Sequence, residues 1–349
     1  MISDRLKTLL YPIGQEILAL PGDGRVLFVG AEPGLAEYAG LAGMDVTCVQ
    51  GFRPAFLALA AEGWKTLPEP EGEDYDAALV LAGRHRRQNE AWIAEALRRV
   101  RPEGLVLVGG AKTDGIASLR KHIAEFLPEA GHASKHHGLV FWLRKDGSAE
   151  RYIDDISQEN QQAVVVADGL APDLSAAFET APGMFSHEHV DLGSALLVQC
   201  LPADLSGRAA DFCAGWGDLS VALALRAPDI KGIDLYEADH ASLEAARRNM
   251  AALASDMPAR FFGHDLANEP VRDRYDLIVM NAPFHTGRAA EPALGEALIR
   301  VAARSLGPGG QLYMVANRQL PYEAALAQAF SRVEKLREEQ GFKVFRARR

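Results

Sequence analysis

The chain has only three cysteines in 349 residues, Cys48, Cys200 and Cys213, an odd and widely spaced set. They offer neither a disulfide framework nor metal-ligand spacing, so no metal is expected and a reducing cytoplasm is the expected compartment. No apolar run approaches the ~20 residues of a membrane span. The N-terminus, Met1-Ile2-Ser3-Asp4-Arg5, lacks the basic and apolar regions of a secretory leader. No membrane partner is therefore expected. Positive charge is also short: the formal net charge is -10. That argues against general affinity for nucleic acid, which rests on phosphate neutralisation, but leaves room for a local basic face. A 48% hydrophobic, 24% charged composition is ordinary for a globular protein, and the length suits two domains.

What is present is one pattern written twice. Gly24-Arg25-Val26-Leu27-Phe28-Val29-Gly30-Ala31-Glu32-Pro33-Gly34 is an apolar strand running into a glycine loop, and Gly207-Arg208-Ala209-Ala210-Asp211-Phe212-Cys213-Ala214-Gly215-Trp216-Gly217 has the same form. A helical pattern follows each (35–41 and 219–226), then a second strand (46–49 and 230–235). Tyr75-Asp76-Ala77-Ala78-Leu79-Val80 parallels Tyr275-Asp276-Leu277-Ile278-Val279-Met280, and each is followed by a helix and a Gly-flanked strand. Alternating strands and helices imply an α/β fold of two tandem Rossmann-like domains, each a parallel doubly wound sheet. The boundaries expected are 1–147 for the first, 148–180 for a polar linker with an added strand or hairpin near Ala163 to Ala167, and 181–349 for the second.

The copies differ where chemistry would sit. Phe28 stands against Asp211, Glu32 against Gly215, and Leu81-Ala82-Gly83-Arg84 against Asn281-Ala282-Pro283-Phe284. The first copy is thus expected to be degenerate, a support beside a working second copy. In the second, Gly215 and Gly217 let the backbone approach a ligand and turn into a helix whose N-terminus offers donors. Asp211 is placed to hold an ammonium. Glu237, just past the second strand, is placed to take two ribose hydroxyls, with Asp234 and Asp239 as competitors. Asp265, after the third strand, is placed to accept from an adenine amine or simply to cap a turn.

Asn281-Ala282-Pro283-Phe284 ends an apolar strand at the sheet edge where ligands bind. It resembles the Asn-Pro-Pro-Phe/Tyr motif of S-adenosylmethionine (SAM)-dependent methyltransferases that modify a planar NH2 group. Such an amine is a weak nucleophile because its lone pair is delocalised. The Asn281 carbonyl and a neighbouring backbone carbonyl can accept its N–H bonds and aim the lone pair. Pro283 stiffens the loop by fixing φ, and Phe284 offers a face for stacking. His285 adjoins the motif, but His85 sits at the matched place in the first copy, which favours a structural role for both.

Nearly the whole chain resembles the bacterial small-subunit ribosomal RNA guanine-N2 methyltransferases, the RsmC-like family. The likeness is carried by Ala181-Pro182-Gly183-Met184-Phe185-Ser186-His187 with Asp191-Leu192-Gly193, by Val315-Ala316-Asn317-Arg318-Gln319-Leu320-Pro321-Tyr322 and by Phe342-Lys343-Val344-Phe345-Arg346. It implies two tandem class I methyltransferase domains, the first degenerate. It further implies SAM bound by Asp211, Gly215, Gly217, Glu237 and Asp265, with Asn281 beside the cofactor. Guanine would be positioned by Asn281, Pro283 and Phe284, and Phe185, Ser186 and Asp191 would help close the cofactor site. The substrate implied is ribosomal RNA or the small subunit. Two departures stand out: Cys213 replaces a usual glycine and Ala282 the first proline, with Trp216 a bulky neighbour. RNA contact is expected from the densest basic cluster, Arg84, Arg86, Arg87, Arg98, Arg99 and Arg101. The motif also suits other planar amines, in large-subunit RNA, DNA adenine or protein glutamine, and a non-catalytic ribosome-assembly binder is the further alternative.

Overall fold

The computed structural model describes every residue except 1, 21, 42, 162–163, 167–169, 171–175 and 283–291. It divides into two units, Met1–Gln162 and Ala163–Arg349. The first contains α1 (Asp4–Gly14), β1 (Arg25–Val29), β2 (Asp45–Val49), α2 (Arg53–Ala61), β3 (Lys65–Leu67), β4 (Tyr75–Leu81), α3 (Arg86–Arg99), β5 (Val100–Ala111), α4 (Ile116–Ile123), β6 (Glu129–Ala133), β7 (Gly138–Arg144) and α5 (Ser148–Gln161). The second opens with the short pair β8 (Val164–Val166) and β9 (Phe178–Thr180). It continues with α6 (Leu192–Cys200), β10 (Ser206–Phe212), α7 (Asp218–Arg226), β11 (Asp229–Glu237), α8 (His240–Leu253), β12 (Ala259–Gly263), β13 (Tyr275–Asn281), α9 (Pro292–Ser305), β14 (Leu306–Asn317), α10 (Glu323–Ala329), β15 (Arg332–Glu339) and β16 (Phe342–Arg348).

The duplication is topological. One sheet runs β3-β2-β1-β4-β5-β7-β6 and the other β12-β11-β10-β13-β14-β16-β15, the same order position for position. Register matches as well: Phe28 pairs with Leu79 in β4, and Asp211 with Val279 in β13. The expected all-parallel sheets need one correction, since β7 and β16 run antiparallel to their neighbours. The turn before β16 explains the reversal there. Gln340 and Gly341 both have positive φ, 50° and 84°, which suits a two-residue hairpin. Central strands β1, β4, β10 and β13 bury near-continuous apolar runs, as strands covered on both faces must.

Two expectations change in the first unit. The segment expected to begin a linker is α5, because Ala149, Tyr152, Ile153 and Ile156 recur at helical spacing and are buried against the core that includes α3 residues Ile93 and Leu97. The helix expected over 35–41 is instead two turns of 3-10 helix, Leu35–Glu37 and Ala39–Leu41, in a stretch weakened by Gly40 and Gly43.

Helices α1 and α6 are also counterparts. Each packs on the strand pair at the same end of its sheet, β5 with β7 or β14 with β16. Each is capped alike: Ser3 accepts from Leu6 N at 3.1 Å, and Asp191 from Ser194 N at 3.0 Å.

Candidate functional site

The carboxyl edges of β10, β11 and β13 bring most of the expected residues to one end of the second sheet. The loop after β10 is left-handed at Cys213, Gly215 and Gly217, with φ of 63°, 53° and 89°. A Cβ on Gly217 would lie 3.1 Å from Ala246 of α8, so glycine there is required by packing as well as by φ. A Cβ on Gly215 would meet nothing within 4 Å, which leaves open space beside the loop. Gly217 is also the N-cap of α7.

Cys213 is the exception among these. The matched residue of the first unit is Gly30, with φ of 71°. The left-handed conformation costs an L-residue roughly 1–2 kcal/mol. Cys213→Val, which adds β-branching, is expected to be less stable than Cys213→Gly by about that amount. Denaturant midpoints of the two variants check this; equal midpoints would contradict it.

Three buried or part-buried carboxyl groups, Asp211, Glu237 and Asp218, surround the loop. Asp211 is fully buried at the end of β10. Its Oδ2 accepts from Ser220 Oγ at 2.7 Å, while Oδ1 has no hydrogen-bond partner among the described residues. Burial pushes its carboxyl well above the usual range. Glu237, at the end of β11, accepts from Gly215 N and Asp239 N, each at 2.8 Å. Those bonds partly oppose burial, which pushes the group up to about 6. Each Glu237 oxygen keeps a lone pair for a further donor. Asp218, the first residue of α7, is buried and likewise pushed up to about 6, by burial first, against a hydrogen bond with Ser194.

The competitors for Glu237's place are occupied elsewhere. Asp234 binds Arg260, Arg208 and Tyr275, and Asp239 caps α8 through Ser242. Asp265 is buried, and its carboxylate accepts from Ala267 N at 3.1 Å and Asn268 Nδ2 at 2.7 Å, so it closes its own turn.

Asn281 ends β13. Its Nδ2 donates to Asp191 Oδ2 and to Ser194 Oγ, both at 3.0 Å. A carboxylate only accepts, so the amide nitrogen must face Asp191 and the side-chain carbonyl must face away. Asp191 therefore caps α6 and fixes Asn281 with the same oxygen. Ser194 and Asp218 escaped the sequence reading, since a Ser after Gly193 and an Asp opening a helix both look like ordinary end-of-helix residues. Ala282 is buried in the core. Pro283, Phe284 and His285 lie outside the described residues.

Trp216, a bulky neighbour of the loop in sequence, is buried in the core. Its ring packs on Phe178 at 4.9 Å between centroids, and Nε1 donates to Phe185 O at 2.9 Å, leaving the Phe185 side chain exposed. Ser186, with φ of 51°, donates to His189 O. The basic cluster of the first unit is largely paired: Arg84 with Asp114, Arg86 with Glu90, Arg98 and Arg99 with Glu95, Arg101 with Asp76.

The corresponding end of the first unit is filled by its own side chains. Arg5 and Glu32 stand at the positions of Gly193 and Gly215. They pair at 3.1 Å, Ser3 Oγ donates to Glu32 at 2.7 Å, and Arg5 Nη2 donates to the carbonyl of Ala82, the match of Ala282. Gln50 is the match of Glu237. It accepts from Phe52 N as Glu237 accepts from Asp239 N, but its amide donates to Ala31 O. The scaffold is kept, and an amide that donates replaces the carboxylate of Glu237.

A doubly wound sheet with a glycine loop after its first strand, an acid after its second and an Asn at the end of its fourth defines a class I methyltransferase domain. The family model described as Methyltransferase small domain matches residues 175–346. The Escherichia coli (strain ATCC 8739) protein named ribosomal RNA small subunit methyltransferase C is 32% identical over 245 residues, covering 69% of this chain and 66% of that protein. The protein of the same name from strain K12 / DH10B gives the same coverages over 246 residues. A solved structure described as the T. Thermophilus 16S rRNA N2 G1207 methyltransferase (RsmC) in complex with AdoMet and guanosine superimposes with a TM-score of 0.79 at 25% identity, over 97% of this chain and 92% of that one. The chain belongs to the small-subunit ribosomal RNA methyltransferase C family.

Proposed function

We propose that this protein transfers the methyl group of SAM to the exocyclic N2 amine of a guanine in small-subunit ribosomal RNA, using the second unit alone. The observation that carries this reading is the Asn281 amide, held by its nitrogen so that only its carbonyl is available to a ligand. A carbonyl accepts a donated hydrogen and repels an oxygen that carries none, so the site suits an amine rather than a carbonyl edge. Guanosine in the solved relative fits that selection.

The donor set fits SAM. The unpartnered, buried Asp211 Oδ1 suits the ammonium of its amino-acid end, and Glu237 keeps lone pairs for two ribose hydroxyls. A cation among Asp211, Asp218 and Glu237 would offset the cost of burying their charges. When bound, SAM supplies a sulfonium-activated methyl, so no strong general base is required. Asn281 contributes by accepting one N–H of the amine, which aims the nitrogen lone pair and stabilises the positive charge developing there. The base must be unpaired or flipped to reach this edge. The expected Pro283 and Phe284 would complete the platform.

Labelled methyl offered to unmodified small subunits, large subunits and naked ribosomal RNA tests the reading: label should enter small-subunit RNA. Label confined to large subunits, DNA or protein would replace the acceptor, and SAM binding without transfer would favour the assembly binder. Docking by the basic cluster of the first unit requires phosphate to compete with its carboxylate partners for guanidinium groups such as those of Arg84 and Arg86, which stay more than half exposed in their ion pairs. Reversing charge at Arg86 and Arg87 should weaken RNA affinity; an unchanged affinity would refute the docking role.

A further inference from the structure

We propose that Asp191, backed by Ser194 and Asp218, is a positioning residue that fixes Asn281 as an acceptor and thereby sets the site's preference for an amine. This rests on the functional reading above and deepens it. Asp191 Oδ2 and Ser194 Oγ both take the Asn281 amide N–H groups at 3.0 Å, and the Ser194 hydroxyl is then free to donate to Asp218. Without those acceptors the amide could rotate and present its NH2 to the substrate.

The first unit acts as an internal control. By cap and register, Asp191, Ser194, Asp218 and Asn281 match Ser3, Leu6, Leu35 and Leu81. Where the Asn is absent, three of the four positions are apolar and buried, while the sheet order and register are kept. Ser3 shows that capping this helix needs no carboxylate. A buried polar network costs stability unless each member is satisfied. Its presence only in the copy with Asn281 therefore points to Asn281 as its purpose.

Two variants separate positioning from capping. Asp191→Ser keeps the cap through Ser Oγ but is too short for Asn281. It should lower kcat by about 10–100-fold through misplacement of the reacting group, with SAM affinity, KM for RNA and thermal midpoint near those of the wild type. Asp191→Asn keeps one oxygen for both bonds and should restore most of the turnover. Wild-type turnover by Asp191→Ser would overturn the proposal, as would Asp191→Asn no faster than Asp191→Ser. Running the wild type alongside separates the two failures. No transfer by the wild type defeats the functional reading, whereas wild-type transfer undiminished by Asp191→Ser defeats only this one.

Discussion

Asn281→Ala is expected to reduce kcat for methyl transfer by about 10²–10³-fold, the scale seen when one positioned polar group is removed from a reacting centre. SAM affinity should hardly change. The Asn281 side chain is tied to Asp191 and Ser194, whereas the groups proposed to hold the cofactor are Asp211, Glu237 and the loop at Gly215. The fold should also survive. Asp191 keeps its capping bond to Ser194 N, and Ser194 keeps Asp218. Single-turnover transfer, measured beside a calorimetric titration with SAM, separates the two effects. A variant that transfers methyl at the wild-type rate would remove Asn281 from the mechanism. One that loses SAM binding as well would mean that the amide serves the cofactor.

Asp211→Asn should act in the opposite compartment of the site. Its loss of a charge-assisted bond, worth about 1.5–3 kcal/mol, should weaken SAM binding by roughly 10- to 100-fold. The cofactor-free protein should nevertheless be at least as stable as the wild type. The sign follows from linkage. Burial raises the folded-state pKa of Asp211, and a carboxyl so raised stabilises the fold at low pH and loses that contribution as pH rises through the folded value. At neutral pH the carboxylate thus opposes folding, and a neutral amide of the same shape relieves it. The Ser220 hydrogen bond is retained through the amide oxygen. Thermal midpoints with and without SAM give both results in one experiment. A destabilised apo protein, or unchanged SAM affinity, would contradict the role of Asp211 as an unpaired buried acceptor.

The duplication was legible because it is written in apolar strands and glycine loops, which depend on local chemistry alone. Phe28 against Asp211 and Leu81 against Asn281 could be matched from sequence, and the sheet registers agree. What stayed hidden depends on tertiary neighbours. Helix α5 was masked by the charge of its exposed face, although its four buried residues keep helical spacing. That Gln50 in particular, within the turn 50–53 that lacks an acid, matches Glu237 is revealed only by the β1–β2 and β10–β11 registers. The link from Asp191 to Asn281 joins residues 90 apart, and no local pattern encodes it. The same holds for Trp216, whose size in sequence suggested a crowded loop. Its hydrogen bond to Phe185 and packing on Phe178 turn it into the core.

The most direct test of the account is the identity of the methylated atom. Small-subunit RNA lacking its natural methyl groups would be incubated with the protein and labelled SAM, digested to nucleosides and separated by chromatography with mass detection. The account predicts label in N2-methylguanosine, absent with Asn281→Ala. Label in a ring-nitrogen or ribose-oxygen product would contradict it, because neither offers the exocyclic N–H that the fixed carbonyl of Asn281 is placed to accept.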